Sequence, residues 1–153
     1  MPQPVPRGVR NHNPGNIERQ DGVKWQGMAA DQSSDSRFVV FESAPWGIRA
    51  LACTLCTYQD HRRAANGSRI DTVREIIQRW APPVENHTTN YVNHVSRLIG
   101  RDPDAKIDVH DYPTMRALVT AIITHENGDN PYNKATLREG LALAGLKPGA
   151  SDR

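Results

Sequence analysis

Five stretches of this chain repeat apolar residues three and four positions apart, and each is bracketed by Pro, Gly, Asn or Asp. Such spacing stacks the apolar side chains on one side of an α-helix, so the chain is constrained to bury helical stripes against one another. The first stripe is Ile48, Leu51, Leu55 and Tyr58, running to about Arg63 behind a start signal of Ser43 and Pro45. Asp71 is read as the cap of a second helix, with Val73, Ile76, Ile77 and Trp80 inward and Pro82-Pro83 as its stop. A third starts near Thr88, turns Tyr91, Val92, Val95, Leu98 and Ile99 inward, and ends at Gly100. The fourth opens at Pro113 and carries Met115, Leu118, Val119, Ile122 and Ile123, and the fifth runs from about Lys134 to Ala144 before Gly145. Between Asn11 and Glu42 the chain is rich in Asn, Asp, Gly and Ser, which predicts irregular coil with at most a small hairpin of Val23–Trp25 and Phe38–Phe41. The fold expected is all-α, one domain of about five helices.

At 153 residues the chain has room for one core. The expected division is a flexible arm over 1–10, a globular domain over 11–146 and a flexible tail over 147–153. Lys and Arg total 19 against 17 Asp and Glu, a net charge of +2, which lacks the dense basic stripe of a dedicated nucleic-acid binder. The longest nearly apolar run, Ala117 to Ile123, is far short of the roughly 20 residues of a membrane span. No apolar secretory signal follows Met1, so synthesis is expected in the cytoplasm. Cys53 and Cys56 lie in an apolar stretch and are read as reduced and packed; with His61 they do not make the ligand set of a zinc site.

One residue breaks the apolar pattern. Continuing the fourth stripe one turn beyond Ile122 puts Glu126 on the same face, at the helix's C-terminal end. The partial negative charge of the last carbonyls and apolar neighbours both oppose ionisation there, so a raised pKa is expected. A carboxylic acid kept protonated near neutral pH is what protonates a leaving glycosidic oxygen. The bland alternative is a frayed helix end, with Asn127-Gly128 as an ordinary stop.

The surroundings favour a polar ligand. His125, Glu126 and Asn127 crowd three hydrogen-bonding side chains beside a glycine, and two further clusters offer planar amides and flat rings. One is Asn11-His12-Asn13-Pro14-Gly15-Asn16-Ile17 with Trp25-Gln26-Gly27; the other spans Trp80 to Tyr91 and includes Glu85, Asn86 and His87. Amides and aromatic faces suit sugars, although each cluster taken singly is also ordinary loop and core composition.

The strings RGVRNHNPGNI, WQG, RFVVFESAPWGIRAL, TVREIIQRWAPPVENHTTNYVNHV and AIITHENG cover most of residues 7–143. In that order they resemble a family of small bacteriophage lysins, endolysins or virion-associated proteins. That family is similar to cell-wall N-acetylglucosaminidases and to the goose-type lysozyme and lytic transglycosylase group. The resemblance implies the helical lobe of the lysozyme fold over 11–146. The motif order is that of a circular permutation: the Glu-bearing helix end comes last, whereas the Asn-rich turn comes first.

The resemblance further implies Glu126 as catalytic acid and Tyr91 as the residue that contacts the reacting sugar or orients the acid. Asn13, Asn16, Ile17, Trp25, Glu85, Asn86, His125 and Asn127 are the implied substrate-binding residues, Asn16 and Ile17 through backbone and amide contacts, with Trp46 a further candidate wall. No metal or other cofactor is implied, and the partner is the glycan strand of bacterial peptidoglycan. Action on the periplasmic wall, by a monomer delivered by a separate holin-like protein or by the virion, follows from the same resemblance. A two-carboxylate glycosidase needs a second acid about 5–9 Å away. Glu18, Asp31, Asp35, Glu42 and Glu85 are available, and Glu85 is favoured for its place beside Asn86. Muramidase, glucosaminidase and lytic transglycosylase activities all stay open at this point, as does a virion protein that binds peptidoglycan without cutting it. A helix-turn-helix reading of Asp71–Trp80 and Thr88–Ile99 is disfavoured, because seven intervening residues replace a tight turn.

Overall fold

The structure, a computed structural model, describes residues 4–81 and 87–149. Among the described residues six helices follow in chain order: α1 Arg7–Arg10, α2 Ala44–His61, α3 Val73–Trp80, α4 His87–Ile99, α5 Tyr112–Asn127 and α6 Lys134–Leu143. The five apolar stripes therefore become α2 to α6, and the fold is all-α, although Leu98, expected inward on the third stripe, is exposed near the end of α4 where Ser96 is buried instead. α1 is the addition. It lies inside the stretch read as an arm, is too short to show a period, and buries Gly8 while packing on α5.

The helix starts follow local chemistry. Thr72, not Asp71, is the N-cap of α3: its hydroxyl accepts from the Glu75 backbone N–H, and the Glu75 carboxylate accepts from the Thr72 hydroxyl and the Asp71 N–H. This reciprocal Thr-x-x-Glu box stabilises a helix start by about 1 kcal/mol relative to Ala. Asp71 instead pairs with Lys106 at 2.9 Å. Asp111 caps α5 through Thr114, and Asn133 caps α6 through Thr136. Gly128, with φ +89°, ends α5 in the left-handed conformation that favours glycine, directly after Asn127.

α5 is the centre of the bundle. Met115, Leu118, Val119, Ala121, Ile122 and Ile123 on it are all buried, and α1, α2 and α4 contact it. The main core draws on α2 to α6. A smaller core of Val39, Phe41 and Ala50, with Ile17, Trp25, Met28 and Trp46 packed on it, fastens the N-terminal coil to α2. That coil is stitched by single antiparallel bridges, Glu18 to Phe38 and Met28 to Phe41. The segment Phe38–Phe41 thus pairs with residues 18 and 28, not with Val23–Trp25 as the hairpin expectation had it. A polar latch closes the far side. Asp35, buried, receives Arg7 Nε at 2.6 Å, Arg7 Nη2 at 2.7 Å and Asn11 Nδ2 at 2.8 Å.

Cys53 and Cys56 are free thiols, half-buried on α2. Burial, with Asp60 and Cys53 nearby, pushes the Cys56 thiol up to about 11. Among the described residues no helix is long and apolar enough to cross a membrane.

Candidate active site

The last turn of α5 carries Glu126 to the point where the N-terminal coil and α4 meet. Asn13 and Asn16 close a tight turn, with the Asn16 N–H donating to the Asn13 carbonyl at 2.9 Å. Asn16 has φ +53°, a left-handed conformation that Asn tolerates better than most residues. From there its Nδ2 donates to Glu126 Oε1 at 3.0 Å. On the other side, Tyr91 of α4 donates its hydroxyl hydrogen to Glu126 Oε2 at 2.8 Å. The Tyr91 oxygen in turn accepts from Trp80 Nε1 at 3.1 Å.

This chain has a fixed direction. An indole N–H only donates, so the Tyr91 hydrogen is left for the carboxylate. Burial first, then the charge and hydrogen bond of Glu126, push the Tyr91 phenol far above its ordinary range, which keeps that hydrogen in place. Each carboxylate oxygen of Glu126 holds one incoming donor and retains a lone pair for a further group.

Behind the carboxylate, the Tyr91 ring stacks on His125, with ring centroids 3.6 Å apart and planes at 24°. His125 Nδ1 lies 2.8 Å from His94 Nδ1. Such a bond requires one ring to carry a hydrogen at that nitrogen and the other to lack it. Burial, reinforced by His94, lowers the pKa of His125, which favours its neutral form. The pair thus fixes the His125 ring under Tyr91.

In front of the carboxylate opens a cavity of about 470 Å³, lined by Glu126, Asn16, Ile17, Trp25, Trp80 and Glu18 among others. It presents two acids, two indole rings and the side-chain amides of Asn16 and Gln20 in a space of the size that holds a small ligand. Among the described residues no three His, Cys, Asp or Glu side chains are grouped to hold a metal ion.

No protein-family model matches the chain. Over 137 residues, 88% of this chain and 79% of the relative, it is 37% identical to Protein P5 of Pseudoalteromonas phage PM2. The chain belongs to the Protein P5 family. It is thereby a relative of a bacteriophage protein, as the sequence resemblance implied at its coarsest level. A match of that extent leaves about an eighth of the chain outside it, so Trp80, Tyr91 and Glu126, far from both ends, fall within the P5-related region.

Of the site residues read from sequence, this P5-family structure brings Glu126, Tyr91, Asn16, Ile17 and Trp25 together at or directly behind the cavity. Ile17 lines it, but its backbone does not offer the free contacts expected. Its N–H donates to Asn13 Oδ1, and its carbonyl accepts from Asn13 Nδ2 and the Val39 N–H. Asn13 is wholly buried and gives its second amide hydrogen to the Val39 carbonyl, so it builds the turn instead of facing a ligand. Asn127 likewise joins loop to helix, donating to the Pro14 carbonyl at 2.8 Å and the Ile123 carbonyl at 3.0 Å. His125 is a support beneath Tyr91, and Trp46 packs over Gly27 in the smaller core. Glu85 and Asn86 lie outside the described residues.

Two participants were not assigned from sequence. Trp80, read both as core and as part of the second amide-and-ring cluster but given no role, supplies the indole donor, and Gly8 lets the site close. A Cβ on Gly8 would stand 2.7 Å from both Asn16 Oδ1 and Asn127 Oδ1, and 2.8 Å from the Asn13 carbonyl. Both of those side-chain oxygens are buried without a hydrogen-bond partner among the described residues. Of the other acids, Asp35 is consumed by the Arg7–Asn11 latch, while Glu18 lines the cavity and pairs with Arg37.

Proposed function

We propose that this chain is a peptidoglycan-degrading glycosidase, a lysozyme-like phage lysin in which Glu126 is the general acid. The observation that carries this reading is the Glu126 carboxylate held between Asn16 and the Tyr91–Trp80 pair at the wall of a cavity with indole sides. Indole faces pack against the apolar faces of sugar rings, and the Asn16 amide and Glu126 meet their polar edges.

In the reaction, protonated Glu126 gives its proton to the glycosidic oxygen as the C–O bond breaks, and the bonding electrons leave with that oxygen. Tyr91 and Asn16 then donate to the two oxygens of the carboxylate that remains. The opposite face of the sugar is met by water or by the substrate's own N-acetyl oxygen. For the first route, Glu18 is the described acid that shares the cavity with Glu126. Membership in a phage protein family supports a setting in which wall degradation serves entry or release of virions.

The test is incubation of wild type and Glu126→Gln with peptidoglycan sacculi, followed by mass spectrometry of the released muropeptides. Release by wild type and none by a folded Glu126→Gln variant is the expected result. Reducing ends identify a hydrolase, and anhydro ends a transglycosylase acting through the N-acetyl group. No release by wild type across pH and salt overturns the proposal in favour of a wall-binding virion protein.

A further inference from the structure

The Glu126 cavity continues past Trp25. Gln20, Trp25, Thr54, Tyr58 and Arg79 line both it and a second cavity of about 1060 Å³, so the two adjoin along α2 and α3. Beyond those shared residues the second arm changes character, because Arg62 and Arg63 at the end of α2 join Arg79 on its walls. Among the described residues none of the three arginines is in an ion pair. Arg79 stands 5.6 Å over the Tyr58 ring, and Arg62 reaches only the His61 carbonyl, at 3.2 Å. The acid on the same walls is Glu75, whose oxygens already accept from Ser68, Thr72 and the Asp71 N–H. Among the described residues the arm is thus a cationic recess whose guanidinium groups pair with no carboxylate, flanked by the uncharged polar side chains of Thr57 and Gln78.

We propose that this arm holds the carboxylates of the peptide stem that branches from the glycan, so that the protein reads peptide-bearing strands in preference to bare sugar. The inference rests on the glycosidase reading of the Glu126 cavity. Guanidinium forks match carboxylates in pairs, and hydroxyl and amide side chains match peptide groups. A nucleic acid fits less well, because the basic groups are confined to one arm while the other presents indole rings and Glu126.

The test uses the full chain with Glu126→Gln, which binds without turnover, followed by NMR titration. The probes are the stem tripeptide L-Ala-γ-D-Glu-meso-diaminopimelate, the same peptide with its carboxylates amidated, a peptide-free N-acetylglucosamine oligomer and a short DNA duplex. The free-acid peptide is expected to shift amides around Arg62, Gln78 and Arg79, and the sugar oligomer those around Asn16 and Trp25. Amidation, or Arg62→Ala with Arg63→Ala, weakens peptide binding by about tenfold or more. Arg62→Lys with Arg63→Lys restores part of it. No peptide binding, equal binding of the amidated peptide, or tighter binding of the duplex each overturns the proposal. Muropeptide release from sacculi is scored separately, so digestion by a protein that ignores the peptide removes this proposal alone, whereas peptide binding without release removes only the glycosidase reading.

Discussion

The Tyr91 hydroxyl and Glu126 Oε2 meet at 2.8 Å although 35 positions separate them in the chain. Tyr91 is at once the acceptor for Trp80 and the donor to the acid, so Tyr91→Phe removes both bonds while leaving the ring on His125. Activity on sacculi is expected to fall by about 100-fold, the scale of one lost donor to a reacting group. The indole N–H of Trp80 loses its partner, at a cost of about 1–3 kcal/mol in denaturant unfolding. An active Tyr91→Phe protein with unchanged rate would show that the hydroxyl does nothing for the acid.

Gly8→Ala inserts a methyl group into close packing beside the site, against Asn16 and Asn127 together. Overpacking of this kind costs about 1–3 kcal/mol. Because Asn16 also holds Glu126, the muropeptide release rate is expected to fall along with the thermal midpoint. A variant with lowered midpoint and full activity would separate Gly8 from the site.

The Arg7 guanidinium, with help from the Phe38 and Arg37 N–H groups and Asn11, holds the Asp35 carboxyl far below the usual carboxylate range. A depressed folded-state pKa contributes stability above the unfolded value of about 3.9, and that contribution is lost as pH falls through the acid range. Asp35→Asn is expected to be less stable at pH 7 and to show a shallower loss on acidification below about pH 4. Thermal scans of both proteins across that range measure the difference in slope.

His125 titrates in the opposite chemical sense but gives the same trend with pH. Its folded-state pKa lies below the ordinary value, so on acidification the unfolded chain takes up the proton first. Stability is therefore present above about pH 6.5 and declines as pH drops toward the folded-state value. His125→Gln, which keeps a polar group beside His94 and Tyr91, is expected to flatten the change in thermal midpoint between pH 7.5 and 5.5.

The parts of this molecule legible in sequence are those with a period. The stripes of α2 to α6 announced themselves, and the same period placed Glu126 on the face that continues Ile122. What lacked a period was harder to see. α1 spans four residues, and its role depends on Gly8 meeting Asn16 and Asn127, a contact made only in three dimensions. Asn13 and Asn16 look alike as residues, yet one is sealed inside the turn and the other reaches the acid, because the turn puts only Asn16 in the left-handed conformation that aims outward. The Thr72 cap was present in the sequence as Thr-x-x-Glu and lost to its neighbour Asp71, which is equally suited by type but is drawn toward Lys106.

The two bonds that tie the acid's helix to the opening turn, Asn16 to Glu126 and Asn127 to Pro14, span 110 and 113 positions. Contacts of such separation form late, since a long stretch of chain must first be brought back on itself. During translation the acid and the residues that grip it are therefore never assembled on the ribosome until nearly the whole chain has emerged. The site is withheld by topology alone, and a product terminated before α5 carries the N-terminal coil and helices α1 to α4 but no Glu126 for Asn16 and Tyr91 to hold.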